Sequence, residues 1–405
     1  MVVENQQDLM VDSRLHTINP LAQSTLEKLG LAWFNKGENK GYLCNDFVRV
    51  NTAELDQLKA ATFDVQALMI EAARHVAAHN LWEEAGIPAE AVELVKWSLE
   101  NELDNHLVGR YDFAGGLMGT PIKLLEFNAD TCSLMPETSL IQYRHWEQER
   151  NALSGQPLVD LPEDLIHRFA SILKRYPDKE PNLLISTLGF QEDWLNADVI
   201  ARAAKRAGFR EVQFMALERV LFSTEEGIFM ELGKDHYQHF DFWFKFIPWE
   251  FICFEEPDLL TDLSEIILND LCVVLNPAYT MLLQSKAIMK YMYELEPNNP
   301  YILKTSYQVG DFPNHQYVRK PQFGRMGENI AIFDGTPSPA YETEGDYGDF
   351  PSIYQEVAAF DIDREGHRYQ PSIFWTGEPS ALCFRRQDDL IIDDDAEFVG
   401  HVIKD

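Results

Sequence analysis

The chain has 405 residues, 45% of them hydrophobic and 12% aromatic, with 66 acidic against 34 basic side chains and a net charge of -32. So much apolar material implies about two or three packed lobes, and the charge disfavours nucleic acid and anionic membranes as partners. An acidic surface suits a cationic amine substrate, although solvation alone is the commoner reason for one.

No apolar run approaches the roughly 20 residues that span a bilayer, and the polar start Met1 to Leu15 is no export signal. Five scattered cysteines without a CxxC pair give neither a disulfide framework nor a zinc knuckle. A cytoplasmic protein with reduced thiols is expected. After the polar leader, Asn51 with Glu54 marks a helix start, and Leu55, Leu58, Thr62, Val65, Met69, Ala72 and Val76 follow at three- and four-residue spacing. That pattern predicts a long amphipathic helix, and a second one is read over about Ala89 to Leu107.

From Gly109 the pattern turns to strands: GRYDF, a turn-rich AGGLMGT, then PIKLLEFNAD, which together read as a hairpin or an interrupted strand pair. A helix is expected around Met135 to Asn151, followed by a connection through Pro157 and Pro162. Asn182 to Leu188, a helix near Asn196 to Ala207 and Glu211 to Ala216 form a β-α-β unit with parallel strands. Ile266 to Leu275 reads as a strand, and Asn276-Pro277 as the cap and first turn of a helix before Lys286. The last third carries short strands joined by glycine turns, an antiparallel layer.

Arg110, Asp112, Glu126 and Asn128 form the most informative group. Within each strand the two polar residues are two apart and share a face. Pairing the segments about Gly119 sets Asp112 opposite Glu126 and Arg110 opposite Asn128. Facing carboxylates repel unless a cation lies between them. Two carboxylates and an amide carbonyl are oxygen donors of the kind magnesium takes, and an arginine fork suits a phosphoryl oxygen. An exposed polar face of a two-stranded sheet is the alternative.

Downstream, Lys320 precedes PQFGRMGE, whose Gly324 and Gly327 let backbone amides approach phosphate oxygens, with Arg325 between them. The spacing is neither a Walker A motif nor a dinucleotide fingerprint. Lys286 and Lys320 are candidate phosphate ligands. Gln355 and Glu356 lie on an apolar strand, where polar groups are costly unless paired, facing a ligand or turned to solvent. Glu250, in FIPWEF, is either a substrate-ammonium contact or part of a capped turn. Of the adjacent Arg385 and Arg386, one must point away from any shared site. Cys132 has no histidine near it in sequence and reads as structural.

In this order, GRYDF, KLLEFNADT, FIPWEF, LNPAYTMLLQSKAIMKYMYELEPNNPYILKTSY, YVRKPQFGRMGENIAIF, IYQEVAAF and SALCFRR span about Gly109 to Arg386. The combination resembles the ATP-grasp synthetase domain of the glutathionylspermidine synthase family and its stand-alone bacterial relatives. The resemblance implies a mixed α/β (α+β) ATP-grasp ligase fold, with an α/β preATP-grasp-like lobe and an antiparallel nucleotide-clamping lobe. It divides the chain into a mainly helical segment 1–108, metal-binding strands with an α/β lobe over 109–275, and a nucleotide-binding lobe over 276–405.

By position it implies Asp112, Glu126 and Asn128 as magnesium ligands and Arg110 as the catalytic arginine at the γ-phosphate of ATP. Lys286 and Lys320 match the nucleotide lysines, and Phe323, Gly324, Arg325 and Gly327 the triphosphate cover. Gln355 and Glu356 match the strand leading to the adenine hinge, Arg385 a phosphate-side arginine, and Thr131 and Ser133 contacts to the acid substrate. The implied reaction joins a peptide or amino-acid carboxylate to an amine, glutathione and a polyamine being the family's pair. A different acid or amine, a small-molecule kinase and an inactive nucleotide-binding protein are the alternatives. No amidase domain of the bifunctional enzymes is seen, so hydrolysis is not expected. The glycine-rich turn after Asp112, the first hundred residues and the acidic tail Asp393 to Asp405 depart from the family pattern.

Overall fold

The expected hairpin lies inside an eight-stranded sheet of the computed structural model, which describes residues 10–234 and 236–404. Most of the polar leader, 1–9, and the final tail residue lie outside the described residues. The spatial order is Leu15–Thr17, Leu43–Val50, Glu397–Ile403, Pro379–Gln387, Arg368–Trp375, Gly109–Ala114 and Lys123–Asn128, with Asp361–Ile362 also paired to Arg368–Trp375. Leu43–Val50 and Glu397–Ile403 run parallel, so strands from near the two chain ends share one sheet.

Hairpin register follows the indices: Asp112 opposes Glu126 and Arg110 opposes Asn128, with a bulge immediately after Asp112. The turn needs glycine, because Gly115 has φ +73° and a Cβ there would stand 2.3 Å from the Pro121 carbonyl oxygen. Asp361 fastens the same turn by accepting from the Leu117 N–H at 2.9 Å and the Thr120 hydroxyl at 2.6 Å. Gly109–Ala114 is buried at every position. Tyr111 enters a core shared with Leu58, Val65, Met289 and Ile353, while Phe374 and Ala381 of the neighbouring strands enter another with Leu165, Ile185 and Phe244.

The first predicted helix forms as Thr52–His79, opened by a capping box between Asn51 and Glu54, and all seven predicted apolar-face residues are buried. The second is shorter than its pattern, Val92–Asn101, followed by one tight turn. The predicted last residue, Leu107, lies beyond both, its N–H taken by the Asn276 side chain at 2.7 Å. The β-α-β unit is present as Asn182–Thr187, Gln191–Ala207 and Glu211–Ala216, parallel, in a sheet ordered Val273–Leu275, Phe242–Phe246, Asn182–Thr187, Glu211–Ala216.

Two expectations fail. Ile266 to Leu268 belong to the helix Pro257–Leu268, and only Val273–Leu275 is strand. A short apolar run does not distinguish the two, and here Leu260, Leu263, Ile266 and Ile267 continue a helical face. Asn276 caps no helix. Its buried amide donates to the carbonyls of Val108 at 2.9 Å and Asp130 at 2.6 Å, cross-linking the start of the hairpin to its end.

The antiparallel layer is a five-stranded sheet ordered Thr305–Ser306, Ser352–Gln355, Gln316–Pro321, Ala331–Asp334, Tyr341–Glu342. A three-stranded sheet of Val220–Ser223, Gly227–Gly233 and His236–Phe240 completes the structure. All five cysteines are free and buried, and burial pushes the Cys132 thiol up to about 12. No helix among the described residues is long and apolar enough to cross a membrane.

Candidate active site

Residues directly opposite in a ladder share a face. Ser372 opposes both Asp112 and Cys383, and Gln370 opposes Arg385. One face of the eight-stranded sheet therefore presents Arg385, Gln370, Ser372, Asp112, Arg110, Glu126 and Asn128 together. Three oxygen-bearing side chains converge at its centre. The Asn128 Nδ2 position lies 3.0 Å from Asp112 Oδ2 and 3.5 Å from Glu126 Oε1.

Cations arrive on these carboxylates from separate elements. Arg110 makes a two-pronged pair with Asp112, both bonds 2.9 Å. Lys286, beyond the short helix Thr280–Gln284, lies 3.1 Å from Glu126 Oε2 and donates to the Gly324 carbonyl at 2.7 Å. Lys320, at the end of its strand, donates to Gln355 Oε1 at 2.8 Å. Burial alone would raise the Glu126 carboxyl, but Lys286 and Lys320 overcome it and hold the group below its usual range. Burial and the neighbouring Lys286 push Lys320 down to about 8.

The glycine segment 321–328 is fastened at three points. Phe323 is buried among Phe254 and Phe350, Arg325 Nη2 lies 2.9 Å from Glu250 Oε1, and Gly327 packs on the chain's acidic end. Gly327 has φ +72°, and a Cβ there would stand 3.0 Å from Asp393 and Ile391. Glu250, in the first turn of Trp249–Glu255, thus meets Arg325, and its Oε2 has no partner.

Two cavities meet along this sheet face. One is a slot with walls of Val318, Ile330, Ile332, Phe360 and Ile391, reached by Lys286, Lys320, Gln355 and Glu356. Gln355 is buried and Glu356 exposed, in keeping with their alternation. The other cavity is a polar cleft holding Arg110, Asn128, Thr131, Ser133 and Arg385. Glu126, Arg325, Gly327, Gln370 and Ile392 line both. Thr131 Oγ1 is buried without a partner, and Ser133 accepts from Arg110 through its carbonyl at 2.9 Å. Arg386 points the other way, to Asp46 and Glu397.

The cleft opens where the parallel sheet reverses its strand order, between Asn182–Thr187 and Phe242–Phe246, the usual crevice for a ligand in such a sheet. Its far end is acidic. Glu192 and Asp193, from the first turn of Gln191–Ala207, and Asp394 line it. Burial raises all three carboxyls, Asp193 to about 6. Sequence reasoning missed these residues, together with Tyr42, Gln370 and Ile391. Acids in a first helical turn are ordinary dipole partners and gave no signal.

Among the described residues no group of three or more His, Cys, Asp or Glu side chains gathers as a metal cluster. Two carboxylates and an amide fit a hard cation only when ligand oxygens complete the shell.

A family model described as glutathionylspermidine synthase preATP-grasp matches residues 13–404. A protein of Haemophilus influenzae named as a putative acid-amine ligase is 25% identical over 319 residues, covering 76% of this chain and 78% of that one. The bifunctional glutathionylspermidine synthetase/amidase of Escherichia coli is 24% identical over 333 residues, 77% of this chain but 52% of that protein, so the match spans about half the relative's length. Among solved structures, a glutathione synthetase-like effector from Globodera pallida superposes with TM-score 0.55 at 10% identity, covering 88% of this chain and 89% of that one, a likeness of fold.

Proposed function

Since this chain belongs to the glutathionylspermidine synthase family, we propose that it is an ATP-dependent ligase that joins a carboxylate to an amine through an acylphosphate. The supporting observation is the order of chemistry along one sheet face: an apolar slot, then cations set against two carboxylates and an amide, then a cleft with hydroxyls and unpaired acids. The three-part division at 108 and 275 is kept in this reading, and a cytoplasmic setting suits its free thiols.

Adenine would occupy the slot beside Gln355 and Glu356. The triphosphate would pass Lys320 and Lys286 towards Arg110, under Phe323, Gly324, Arg325 and Gly327, with Arg385 on the cleft side. Asp112, Glu126 and Asn128 would hold Mg²⁺, which supplies charge neutralisation at the phosphates when bound. Arg110 would then exchange Asp112 for a phosphoryl oxygen, and Lys286 would exchange Glu126. Phosphoryl transfer asks mainly for such positioning and charge. Thr131 and Ser133 would orient the acid substrate beside Arg110, and Glu250 would hold the loop over it through Arg325, its Oε2 left for substrate.

The acidic end would take the amine as a cation. The Escherichia coli relative's name pairs glutathione with spermidine, which makes that pair the first to test here; another peptide or amino acid is the alternative acid. The test is ADP release from magnesium-ATP across peptides, including glutathione, crossed with polyamines and amino acids, with product mass read in parallel. ADP coupled to a new amide is expected. A phosphorylated acid without amide would reassign the protein as a kinase, and no turnover with any pair would sink the ligase reading.

A further inference from the structure

An amine that enters the acidic end as an ammonium ion has no lone pair, so it must lose a proton before it attacks an acyl carbon. Glu192, Asp193 and Asp394 can bind that charge. One further carboxyl lies behind the cleft wall. Glu137 belongs to a single wide turn, Glu137–Ile141, ahead of the helix Gln142–Leu153. It is wholly buried, Oε1 accepts the Tyr42 hydroxyl at 2.7 Å, and Oε2 has no hydrogen-bond partner among the described residues. Tyr42 itself lines the cleft, alongside Glu192 and Asp193. A buried carboxyl oxygen without a partner is costly, and nothing in the packing of the core calls for one.

We propose that Tyr42 and Glu137 form the proton exit for the incoming amine. The ammonium N–H gives its proton to the Tyr42 oxygen as Tyr42 passes its own to Glu137 Oε1. The amine lone pair then attacks the acyl carbon, the carbon–oxygen bond to phosphate breaks with its electron pair leaving on the phosphate, and the departing phosphate takes the second N–H proton as the amide forms. Glu137 starts as a carboxylate and ends as a carboxylic acid, returning the proton to solvent after product leaves. Tyr42 touches the amine, whereas Glu137 acts through it.

The electrostatics fit this task. Burial and the charge of Glu192 raise the Glu137 carboxyl to about 8, against smaller opposing contributions from Tyr42 and Arg110. From the adjoining strand Cys383 also faces it, and Arg385 faces Tyr42. A proton acceptor that titrates near working pH is best matched to an ammonium donor.

The inference rests on the ligase reading, and one comparison separates them. Glutathione and magnesium-ATP are supplied with either spermidine or hydroxylamine, the panel's best acid and fastest amine replacing glutathione and spermidine if others are faster. Hydroxylamine is uncharged at neutral pH and needs no proton acceptor. Tyr42→Phe and Glu137→Gln should each lower the ratio of amide to hydroxamate by about 10²-fold, and amide formation should lose its rise with pH towards 8. Tyr42→Phe removes one oxygen and carries the test alone if Glu137→Gln does not fold. A ratio equal to the parent's overturns the proton exit while leaving the ligase intact. A parent that yields neither amide nor hydroxamate sinks both.

Discussion

At the end of the site where we place the nucleotide, Arg110 holds Asp112, Lys286 holds Glu126, Lys320 holds Gln355 and Arg325 holds Glu250. At the end where we place the amine, among the described residues, Glu137, Glu192, Asp193 and Asp394 make no ion pair, and burial raises each of them. Both ends are rich in charge, yet one is internally neutralised and the other is not. A neutralised site is stable while empty and admits a ligand only by exchange of partners. An unpaired acidic site keeps a standing preference for a cation. On this comparison magnesium and ATP should bind together and cooperatively, and the amine independently of both.

The largest effect is expected where neutralisation is broken. Asp112→Ala or Glu126→Ala removes one proposed metal donor and strands Arg110 or Lys286, and should lower ADP production by at least about 10²-fold. Circular dichroism should report an unchanged fold. Parent-level ADP release from either variant would remove these residues from the metal site. A smaller effect is expected at the other end. Glu192→Gln with Asp193→Asn should raise KM for the amine about tenfold, or ~1.4 kcal/mol, and leave KM for ATP in place. Rising ionic strength should weaken amine binding in the parent and do so less in the variant. Equal shifts in both KM values would break the distinction between the two ends.

These ends differ in how far the sequence revealed them. The nucleotide end lies on contiguous motifs, where strand alternation and two residue indices suffice to oppose Asp112 to Glu126 and to turn Arg385 and Arg386 apart. The amine end is assembled from Tyr42, Glu137, Glu192 and Asp394, which lie on two loops and two helical segments far apart in sequence. No local period records such a convergence. The Asn276 cross-link was illegible for the same reason: Asn-Pro is a sound local helix signal, but the side chain is committed to the carbonyls of Val108 and Asp130, far away in sequence.

The glycine segment joins the two ends, and its anchor gives a milder test. Glu250→Gln removes the charge that holds Arg325. Segment 321–328 should then be cut faster by protease without nucleotide, and an ATP analogue with magnesium should restore protection by giving Arg325 a phosphate partner. Cleavage that is equal with and without Glu250 would show that the packing of Phe323 and Gly327 fastens the loop.

The smallest effect separates burial from function. Glu102 lies outside the cleft, buried beside Asn105, and desolvation raises its carboxyl to about 7 against the opposing bonds from Ser98 and Asn105. Between pH 4.5 and about 7 the folded chain therefore holds a proton that the unfolded chain has released. The stability this contributes is fully present below the unfolded value and is lost as pH rises through about 7, an amount of no more than about 3 kcal/mol. Glu102→Gln should flatten the fall of denaturation midpoint between about pH 5 and 8. Glu137 has the same sign but is joined to the cleft through Tyr42, so bound amine should change its share of that slope and leave the share of Glu102 alone. A slope that responds to amine equally in the Glu102→Gln and Glu137→Gln variants would mean that the cleft acids are buried for packing rather than held for a cation.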